Sequence, residues 1–217
     1  MGNEDGTAPY PIWNVVRKGE GARSPASYQD LGPGAEGWFV HFSDVFTRAR
    51  WGWQPNTDNR LTSVDRLITM YYTTIGGGVN FIVNLTPDPS GLIPEIEVKR
   101  VADFGAEVHR RFRTPVARTA SSNGRAEPGM LELDLGRRAN VVHVVLEEEI
   151  AFGQHVLQYA VDAKVGGQWK PVAQGKSIGR KRIHRLEPPV PTERLRLRIL
   201  KAYAVPQIRE MTAYDTL

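Results

Sequence analysis

A change of pattern near residue 115 constrains most strongly what this 217-residue chain can fold into. Before it, an apolar stretch is followed twice by a polar loop and an amphipathic helical pattern, which is typical of a parallel α/β fold. After it, short stretches of alternating apolar and polar residues follow one another, which is typical of an antiparallel sandwich. The sequence therefore predicts an α/β unit over residues 1–114, a linker over 115–128 and an all-β antiparallel sandwich over 129–217.

The α/β unit contains two strand–helix pairs. Residues 37–46 and 79–85 are apolar almost throughout, as expected for the buried strands of a parallel sheet. The first helix follows Ser63, a residue type favoured at the N-cap, and ends at the glycine run 76–78. The second helix begins near Pro94, because proline suits the first turn of a helix.

Two strand–helix pairs cannot close a (β/α)8 barrel, which takes eight pairs and roughly 250 residues. Parallel strands with uncovered edges are unusual in soluble proteins. We therefore expect either a smaller open sheet or subunits that cover each other's edges, and the second interpretation predicts a homo-oligomer.

The second unit contains seven short strand patterns separated by turn signals such as Gly166-Gly167 and Pro188-Pro189. The stretch Arg194-Leu-Arg-Leu-Arg198 alternates basic and apolar residues, which predicts a strand with one solvated face. The seven stretches are 130–135, 140–148, 155–164, 168–174, 181–187, 193–200 and 207–214.

Composition and charge narrow the classes of partner. The net charge is only +4, and the basic stretches 179–185 and 194–198 contain no Phe, Tyr or Trp for base stacking, so we expect no nucleic-acid partner. No run of eighteen apolar residues occurs, so no membrane span is expected. The chain has no cysteine, and its five histidines lack metal-ligand spacing, so we expect no disulfide, metal or cofactor. No secretory leader is readable, so the expected location is cytoplasmic, or unknown if the native N-terminus lies upstream of this sequence.

Six short blocks occur in an order and combination that is specific to one family. The blocks are Gly2-Asn-Glu-Asp-Gly6 with Trp13, Ser43-Asp-Val45 with Arg48 and Trp51-Gly-Trp53, Ser63 to Tyr72, Asn80-Phe-Ile-Val-Asn-Leu-Thr-Pro87 with Ser90-Gly-Leu-Ile93, Leu146 to Gln154, and Ile178 to Ile183. Together they resemble the α-L-fucosidases of glycoside hydrolase family 29, and the match covers nearly the whole chain. The resemblance is to the C-terminal half of the catalytic barrel, here a partial (β/α) barrel, followed by a shortened discoidin-like domain.

The resemblance implies a retaining glycosidase that releases α-linked L-fucose from fucosylated oligosaccharides or glycoconjugates, with transfucosylation as an additional outcome. Such a reaction uses two carboxyl groups about 5–5.5 Å apart. Glu4 matches the acid/base of the subgroup that acts on branched fucose linkages. Four aspartates lie on predicted loops or strand ends and are available as a second carboxylate: Asp5, Asp44, Asp58 and Asp88. Among them Asp44 is the candidate, because it lies at the C-terminal end of a predicted strand, where barrel chemistry resides. The family's nucleophilic Asp and a pair of fucose-binding His residues have no counterpart in the matched blocks.

Four further residues are candidates for substrate binding. Trp51 and Trp53 offer aromatic faces that stack on the C–H faces of sugars, Arg48 offers charged hydrogen-bond donors, and His41 lies in the first predicted strand. Each candidate also has a structural interpretation. The two tryptophans can be packing residues, and His41 can be a hydrogen-bonded core residue.

The two candidate carboxylates also leave alternatives open. Glu4 can be a solvated residue on a frayed terminus, and Asp44 can be a hydrogen-bonded loop anchor. At the level of the whole chain, the alternative to an enzyme is a non-catalytic remnant, or a glycan-binding or structural module, that lacks the family nucleophile.

Overall fold

The computed structural model describes residues 2–16, 37–38, 40–119 and 129–217. These residues form a three-stranded parallel sheet with two helices, a two-stranded antiparallel ribbon and a six-stranded antiparallel sheet. None of the described helices is long and apolar enough to cross a membrane.

The parallel sheet has the strand order β1-β4-β5, and both neighbouring pairs are parallel. Helix α1 connects β4 to β5, and helix α2 follows β5, so the predicted strand–helix alternation is present. The elements are β1 (Gly2–Asn3), β4 (Phe42–Phe46), α1 (Val64–Thr73), β5 (Asn80–Asn84) and α2 (Glu95–Phe112).

The first predicted strand, over residues 37–46, is divided in the structure. Its beginning is β3 (Gly37–Trp38), which pairs with β2 (Val15–Val16) in the separate ribbon, and only Phe42–Phe46 joins the parallel sheet. Phe39 lies outside the described residues. A single apolar run therefore serves two sheets, which its hydrophobicity alone does not indicate.

Helix α1 begins where the sequence predicts it. The Ser63 side chain accepts a hydrogen bond from the Arg66 backbone N–H at 3.2 Å, which satisfies one of the free N–H groups of the first turn. Leu67 and Met70 face inward and pack with Val45 of β4. The helical spacing of apolar residues therefore fixes which face of α1 covers the sheet.

One face of β5 is left open. Phe81 and Val83 pack against the helices, whereas Ile82 on the opposite face is 45% exposed. The prediction that this strand is covered on both faces is wrong for the described part of the chain. Three parallel strands make an open sheet here, and the continuation of this sheet into a partial (β/α) barrel stays a prediction.

The antiparallel sheet has the strand order β6-β11-β7-β10-β8-β9, and it confirms the all-β character of the second half. Two pairs of predicted strands merge into single long ones, because the residues between them are accommodated by register shifts at Arg185/Val190 and Thr192/Arg194. The strands are β6 (Ala117–Arg118), β7 (Met130–Glu148), β8 (Val156–Val165), β9 (Gln168–Gly175), β10 (Arg182–Ala202) and β11 (Ile208–Tyr214).

The predicted linker contains a paired strand. Ala117 and Arg118 of β6 pair with Ala213 and Thr212 of β11. The chain therefore enters the antiparallel sheet inside the interval 115–128, because two backbone residues suffice to extend the sheet at its edge. Residues 120–128 of that interval lie outside the described part of the chain.

The main core lies in the antiparallel sheet, and both halves of its long strands contribute to it. Leu195 and Leu197 of β10 are fully buried, while Arg194, Arg196 and Arg198 alternate with them on the other face, as the sequence predicts. The other core residues include Leu133, Leu135, Val141, Val144, Leu146, Val156, Val161, Ile208 and Met211.

A second apolar cluster joins the helices to the antiparallel sheet. Val145 and Ile183 pack with Tyr71, Tyr72 and Phe112 from the two helices. Because of this contact, the later half of β7 is buried on both faces, unlike a solvated antiparallel strand.

Candidate active site

The carboxyl ends of the three parallel strands meet at one residue, Trp51. Glu4 follows β1, Trp51 lies in the loop after β4, and Thr86 follows β5. The Trp51 indole Nε1 donates a hydrogen bond to Glu4 Oε2 at 3.3 Å. The Trp51 backbone carbonyl accepts from Asn84 Nδ2 at 3.3 Å and from Thr86 Oγ1 at 3.4 Å. Trp51 therefore links all three strand ends, which is where parallel α/β folds place their chemistry.

Glu4 is exposed, but it belongs to an anchored segment. Asn3 Oδ1 accepts a hydrogen bond from Ser43 Oγ at 2.7 Å, and the Gly6 N–H donates to the same hydroxyl at 3.0 Å. Thr73 Oγ1 of helix α1 donates to the Gly6 carbonyl at 3.0 Å. The bonds on both sides of Glu4 do not fit the interpretation of a frayed terminus.

Asp44 lies within β4, two residues before its end, rather than at the strand terminus that the sequence suggested. It shares a face with Phe42 and Phe46, because alternate residues of a strand point the same way. Its Oδ1 atom is buried and accepts no hydrogen bond from the described residues. The loop-anchor interpretation of Asp44 thus has no bond at this oxygen to support it.

The register of β1 and β4 relates the two candidate carboxylates. Gly2 pairs with Phe42 and Asn3 pairs with Ser43, so the next residues along the two strands are Glu4 and Asp44. Neighbouring strands lie about 4.8 Å apart. Glu4 and Asp44 thus each directly follow the last paired residues, Asn3 and Ser43, although β1 itself ends before Glu4.

The two aromatic candidates, Trp51 and Trp53, differ in exposure. Trp51 is 39% exposed, and its ring meets the edge of Phe46 with centroids 5.2 Å apart at an angle of 74°. Trp53 is half-buried. Trp51 therefore offers an accessible aromatic surface beside Glu4, held by an edge-to-face contact.

Comparison with known proteins finds the same family that the sequence blocks resemble. The chain is 26% identical, over 96% of its length, to a protein assigned as α-L-fucosidase 1 in Oryza sativa subsp. japonica, and 25% identical, over 99% of its length, to α-L-fucosidase 1 of Arabidopsis thaliana. The resemblance to the α-L-fucosidases is confirmed. The chain spans about half the length of these relatives, 46% and 49% respectively. No family model matches it.

Solved structures agree with this resemblance. A Bacteroides thetaiotaomicron protein assigned to the α-L-fucosidases superposes with a TM-score of 0.85 at 31% identity, covering 98% of this chain and 49% of that one. A family 29 fucosidase of Ruminococcus gnavus, solved in complex with fucose, superposes with a TM-score of 0.84 at 20% identity, covering 99% of this chain and 50% of that one. The second likeness shows the fold alone.

In this fucosidase-like chain, Arg48 lies beneath the site rather than in it. The Arg48 side chain is buried, its Nε pairs with Glu97, and its Nη1 donates to Thr57 Oγ1 and Asp58 Oδ1, each at 2.8 Å. Burial disfavours the charged guanidinium, but the bonds to Glu97 and Asp58 outweigh that effect and raise the pKa of Arg48. The structure assigns Arg48 to support of the loop, because its bonded donors face the protein interior.

His41 is also separated from the strand ends. It is buried and precedes β4, so it lies at the amino end of the strand, opposite the Trp51 loop. Burial lowers its pKa to about 4, which keeps the ring neutral near pH 7. The core interpretation of His41 fits this position better than substrate binding.

Glu97 is the important residue that sequence reasoning missed. It is fully buried in the first turn of α2 and accepts hydrogen bonds from Thr47 Oγ1 at 2.9 Å and from the Thr86 backbone N–H at 3.0 Å, besides its pair with Arg48. One carboxylate thus ties the loops after β4 and β5 to one helix. One signal in the sequence pointed to the burial of Glu97. Glu97 lies four residues before Val101, so both residues share the apolar face of the predicted helix.

The described residues contain no group of three or more His, Cys, Asp and Glu side chains placed to hold a metal ion.

Proposed function

We propose that the chain carries the acid/base side of a retaining α-L-fucosidase active site, which releases α-linked L-fucose from fucosylated oligosaccharides or glycoconjugates. The observation that carries the proposal is the hydrogen bond from Trp51 Nε1 to Glu4 Oε2 at the carboxyl ends of the parallel strands. This bond orients the one carboxylate that matches the acid/base of the resembled family.

The proposed reaction has two steps. In the first, Glu4 donates a proton to the leaving glycosidic oxygen while a second carboxylate bonds to the anomeric carbon. In the second, Glu4 takes a proton from water as the water displaces that carboxylate, or from an acceptor hydroxyl, which gives transfucosylation.

Asp44 is the second carboxylate that we assign. Asp44 directly follows Ser43, and Glu4 directly follows Asn3, the register partner of Ser43, so the two carboxylates start from adjacent backbone positions. The Asp44 Oδ1 is buried and accepts no hydrogen bond from the described residues, so a reaction at this oxygen requires that the site open to uncover it. Trp51 supplies the surface on which the sugar ring packs, and Trp53, two residues further along the same loop, is the second aromatic candidate for sugar binding.

The proposed active form is a homo-oligomer. In the described part of the chain, β1 and β5 are the two edge strands of the parallel sheet. One face of β5 is also open, and Ile82 on that face is exposed. A second copy that pairs along these edges would cover both. Native mass spectrometry tests this part, and a monomer at all concentrations would contradict it.

Hydrolysis of an aryl α-L-fucoside and of a fucosylated oligosaccharide tests the reaction. Glu4→Gln is expected to lower turnover of the oligosaccharide by about 10²–10⁴-fold, because its leaving group needs a proton. The aryl fucoside has a better leaving group, and azide, which needs no base, should restore part of its turnover. Asp44→Asn should abolish both activities without rescue. Unchanged activity in Glu4→Gln would remove Glu4 from the mechanism.

The exposure of Glu4 favours a second candidate function, a non-catalytic fucose-binding module. A general acid is usually desolvated so that it holds its proton near neutral pH. Calorimetric binding of fucose, together with absent turnover in concentrated protein, would support this function over the enzyme.

A further inference from the structure

A cavity lies at the border between the two halves of the molecule, apart from the Glu4 site. It has a volume of about 490 Å³, and it is lined by Trp13 and by four polar side chains of the antiparallel sheet, Gln158, Gln174, Lys176 and Lys201. We call it the β8–β9 pocket.

The strand register explains why these polar side chains converge. Gln158 of β8 is the Cα partner of Lys201 of β10, and Gln174 of β9 pairs with Ala160, two residues beyond Gln158 on the same face of β8. Lys176 directly follows the end of β9. The four side chains therefore rise from neighbouring strands of one sheet.

Trp13 is flanked by backbone hydrogen bonds to two loop residues, Gln154 before β8 and Ser177 after β9. The Ile12 N–H donates to Ser177 Oγ at 3.3 Å, and the Asn14 N–H donates to Gln154 Oε1 at 3.0 Å. Gln154 Nε2 donates in turn to the Ile12 carbonyl at 2.9 Å. These bonds fix the backbone on both sides of Trp13 before any ligand arrives, which lowers the ordering cost of binding, while the buried indole Nε1 has no hydrogen-bond partner among the described residues.

The backbone near Lys176 is fixed in a similar way. The Tyr10 hydroxyl accepts hydrogen bonds from the backbone N–H of Lys176 at 2.5 Å and of Ser177 at 3.2 Å. The ring of Tyr10 is itself covered by the Arg182 guanidinium, 3.9 Å from the ring centroid. The rim of the pocket is thus anchored to the segment that carries Trp13.

The charges in the pocket all have one sign. Lys176 and Lys201 are exposed and form no ion pair with any described residue, and no acidic side chain lines the cavity. Two free ammonium groups attract an anion. The two glutamine amides can donate to and accept from hydroxyl groups, and the indole can pack against the C–H face of a ring.

We propose that the β8–β9 pocket binds an acidic saccharide, that is, a sugar ring that packs against Trp13 and bears a carboxylate or sulfate held by Lys176 and Lys201. The glutamines bind the ring hydroxyls. This site is independent of the Glu4 site, and it gives the chain a second point of attachment to a charged glycan.

Titration of the full chain, followed by the indole NMR signal of Trp13 and by calorimetry, tests the proposal. The probes are sialyllactose, sulfated lactose, neutral lactose and adenosine monophosphate. At least one of the two acidic sugars should bind. Lactose lacks the anionic group that the lysines hold, so it should bind at least about tenfold more weakly, a difference of about 1.4 kcal/mol in binding free energy. The tighter acidic sugar identifies which anion the pocket prefers.

The variants Lys176→Ala and Lys201→Ala should each weaken binding of the acidic sugar about fivefold to tenfold. Lys170→Ala, which removes an exposed lysine of β9 outside the pocket, is the matched control and should leave binding unchanged. All three lysines are exposed, so their substitution by alanine should leave the fold intact, and a change in affinity then reports on binding alone. Equal affinity for lactose, preference for adenosine monophosphate, unchanged binding in both pocket variants, or no binding of either acidic sugar would each overturn the proposal.

Discussion

Trp51 carries the contacts on which the geometry of the candidate active site depends. Its indole N–H orients Glu4, and its backbone carbonyl holds Asn84 and Thr86. The backbone contacts do not depend on the side chain. A substitution that removes only the N–H therefore separates orientation of Glu4 from the folding of the loop.

Trp51→Phe should lower kcat for an α-L-fucoside by about 10- to 100-fold, because a hydrogen bond to a charged group is worth about 1.5–3 kcal/mol and Glu4 loses its donor. The free energy of unfolding should change by less than about 1 kcal/mol, since the ring retains its contact with Phe46. Steady-state kinetics and urea unfolding measure the two effects. Trp169→Phe on β9 is the control, and equal kcat in both variants would show that the bond does not act in catalysis.

Gly6 tests whether the segment around Glu4 is packed as the structure shows. Its φ is +69°, and a Cβ at this position would lie 2.6 Å from the Met70 side chain. Gly6→Ala should therefore destabilise the fold by about 1–3 kcal/mol, from backbone strain and overpacking together. Gly52→Ala, which meets no atom within 4 Å, should change stability by less than about 0.5 kcal/mol. Urea unfolding of both variants gives the comparison, and equal stabilities would place Gly6 in an unpacked segment.

At the scale of elements, helix α2 controls the loops that follow β4 and β5. Glu97 accepts bonds from residues of both loops, and Arg48 reaches it from the buried side. The helix therefore acts on the site through one carboxylate rather than through its apolar face alone.

Glu97→Gln should destabilise the protein by about 3–5 kcal/mol, because it leaves the buried Arg48 without its main partner. The double variant Arg48→Met/Glu97→Leu should lose less, since both buried charges are removed together. Glu95→Gln, on the exposed side of the same helical turn, should change stability by less than about 0.5 kcal/mol. Urea unfolding checks all three, and a larger loss in the double variant than in Glu97→Gln would contradict the pairing argument.

Local patterns predicted the elements better than their connections. The cap at Ser63 and the apolar periodicity gave α1 and α2, and the alternation around Leu195 gave the correct faces of β10. The merging of short strands into β7 and β10 was missed, because residues that resemble turns, such as Pro188 and Pro189, are accommodated within a long strand.

The candidate site was predicted in part for a similar reason. The position of Glu4 beside Trp51 follows from the meeting of parallel strand ends, which the order of elements already implies. The role of Arg48 depends on Glu97, which is 49 residues away in the chain, so no local pattern reveals it. The position of His41 depended on where β4 begins, and apolar residues on both sides of that point hide the boundary.

At the scale of the whole molecule, the two halves meet around His143 of β7. This fully buried ring stacks on Tyr72, and its Nε2 lies 2.7 Å from the Tyr72 hydroxyl. Arg111 Nη1 donates to that hydroxyl at 2.9 Å, so the hydroxyl hydrogen is free to bond a neutral Nε2. Arg185, the Cα partner of His143 on β10, is the second nearby cation. A protonated His143 would therefore face two positive groups.

Between pH 6.5 and 4, the free energy of unfolding should depend on the protonation of three histidines. Burial lowers the pKa of His143, His41 and His184 from 6.5 to about 4, so the unfolded chain takes up protons over this range while the folded chain does not. The stabilisation is fully present above pH 6.5 and is lost as the pH falls towards 4, because ∂ΔG/∂pH is positive where the unfolded state binds more protons. For the fully buried His143 the loss amounts to about 3 kcal/mol. Burial raises the pKa of Glu148, which opposes part of this trend.

Urea unfolding at intervals from pH 7.5 to 4 measures this dependence, and His143→Phe tests its origin. The variant should be less stable at pH 7.5, because Tyr72 loses its acceptor, but its stability should fall less steeply between pH 6.5 and 4, by the equivalent of about one proton. The exposed His109 provides the matched control, since His109→Asn should leave the slope unchanged. A slope in His143→Phe as steep as in the parent chain would show that the acid sensitivity arises elsewhere. A flatter slope would place the junction between the helices and the antiparallel sheet among the parts of the fold that acid opens.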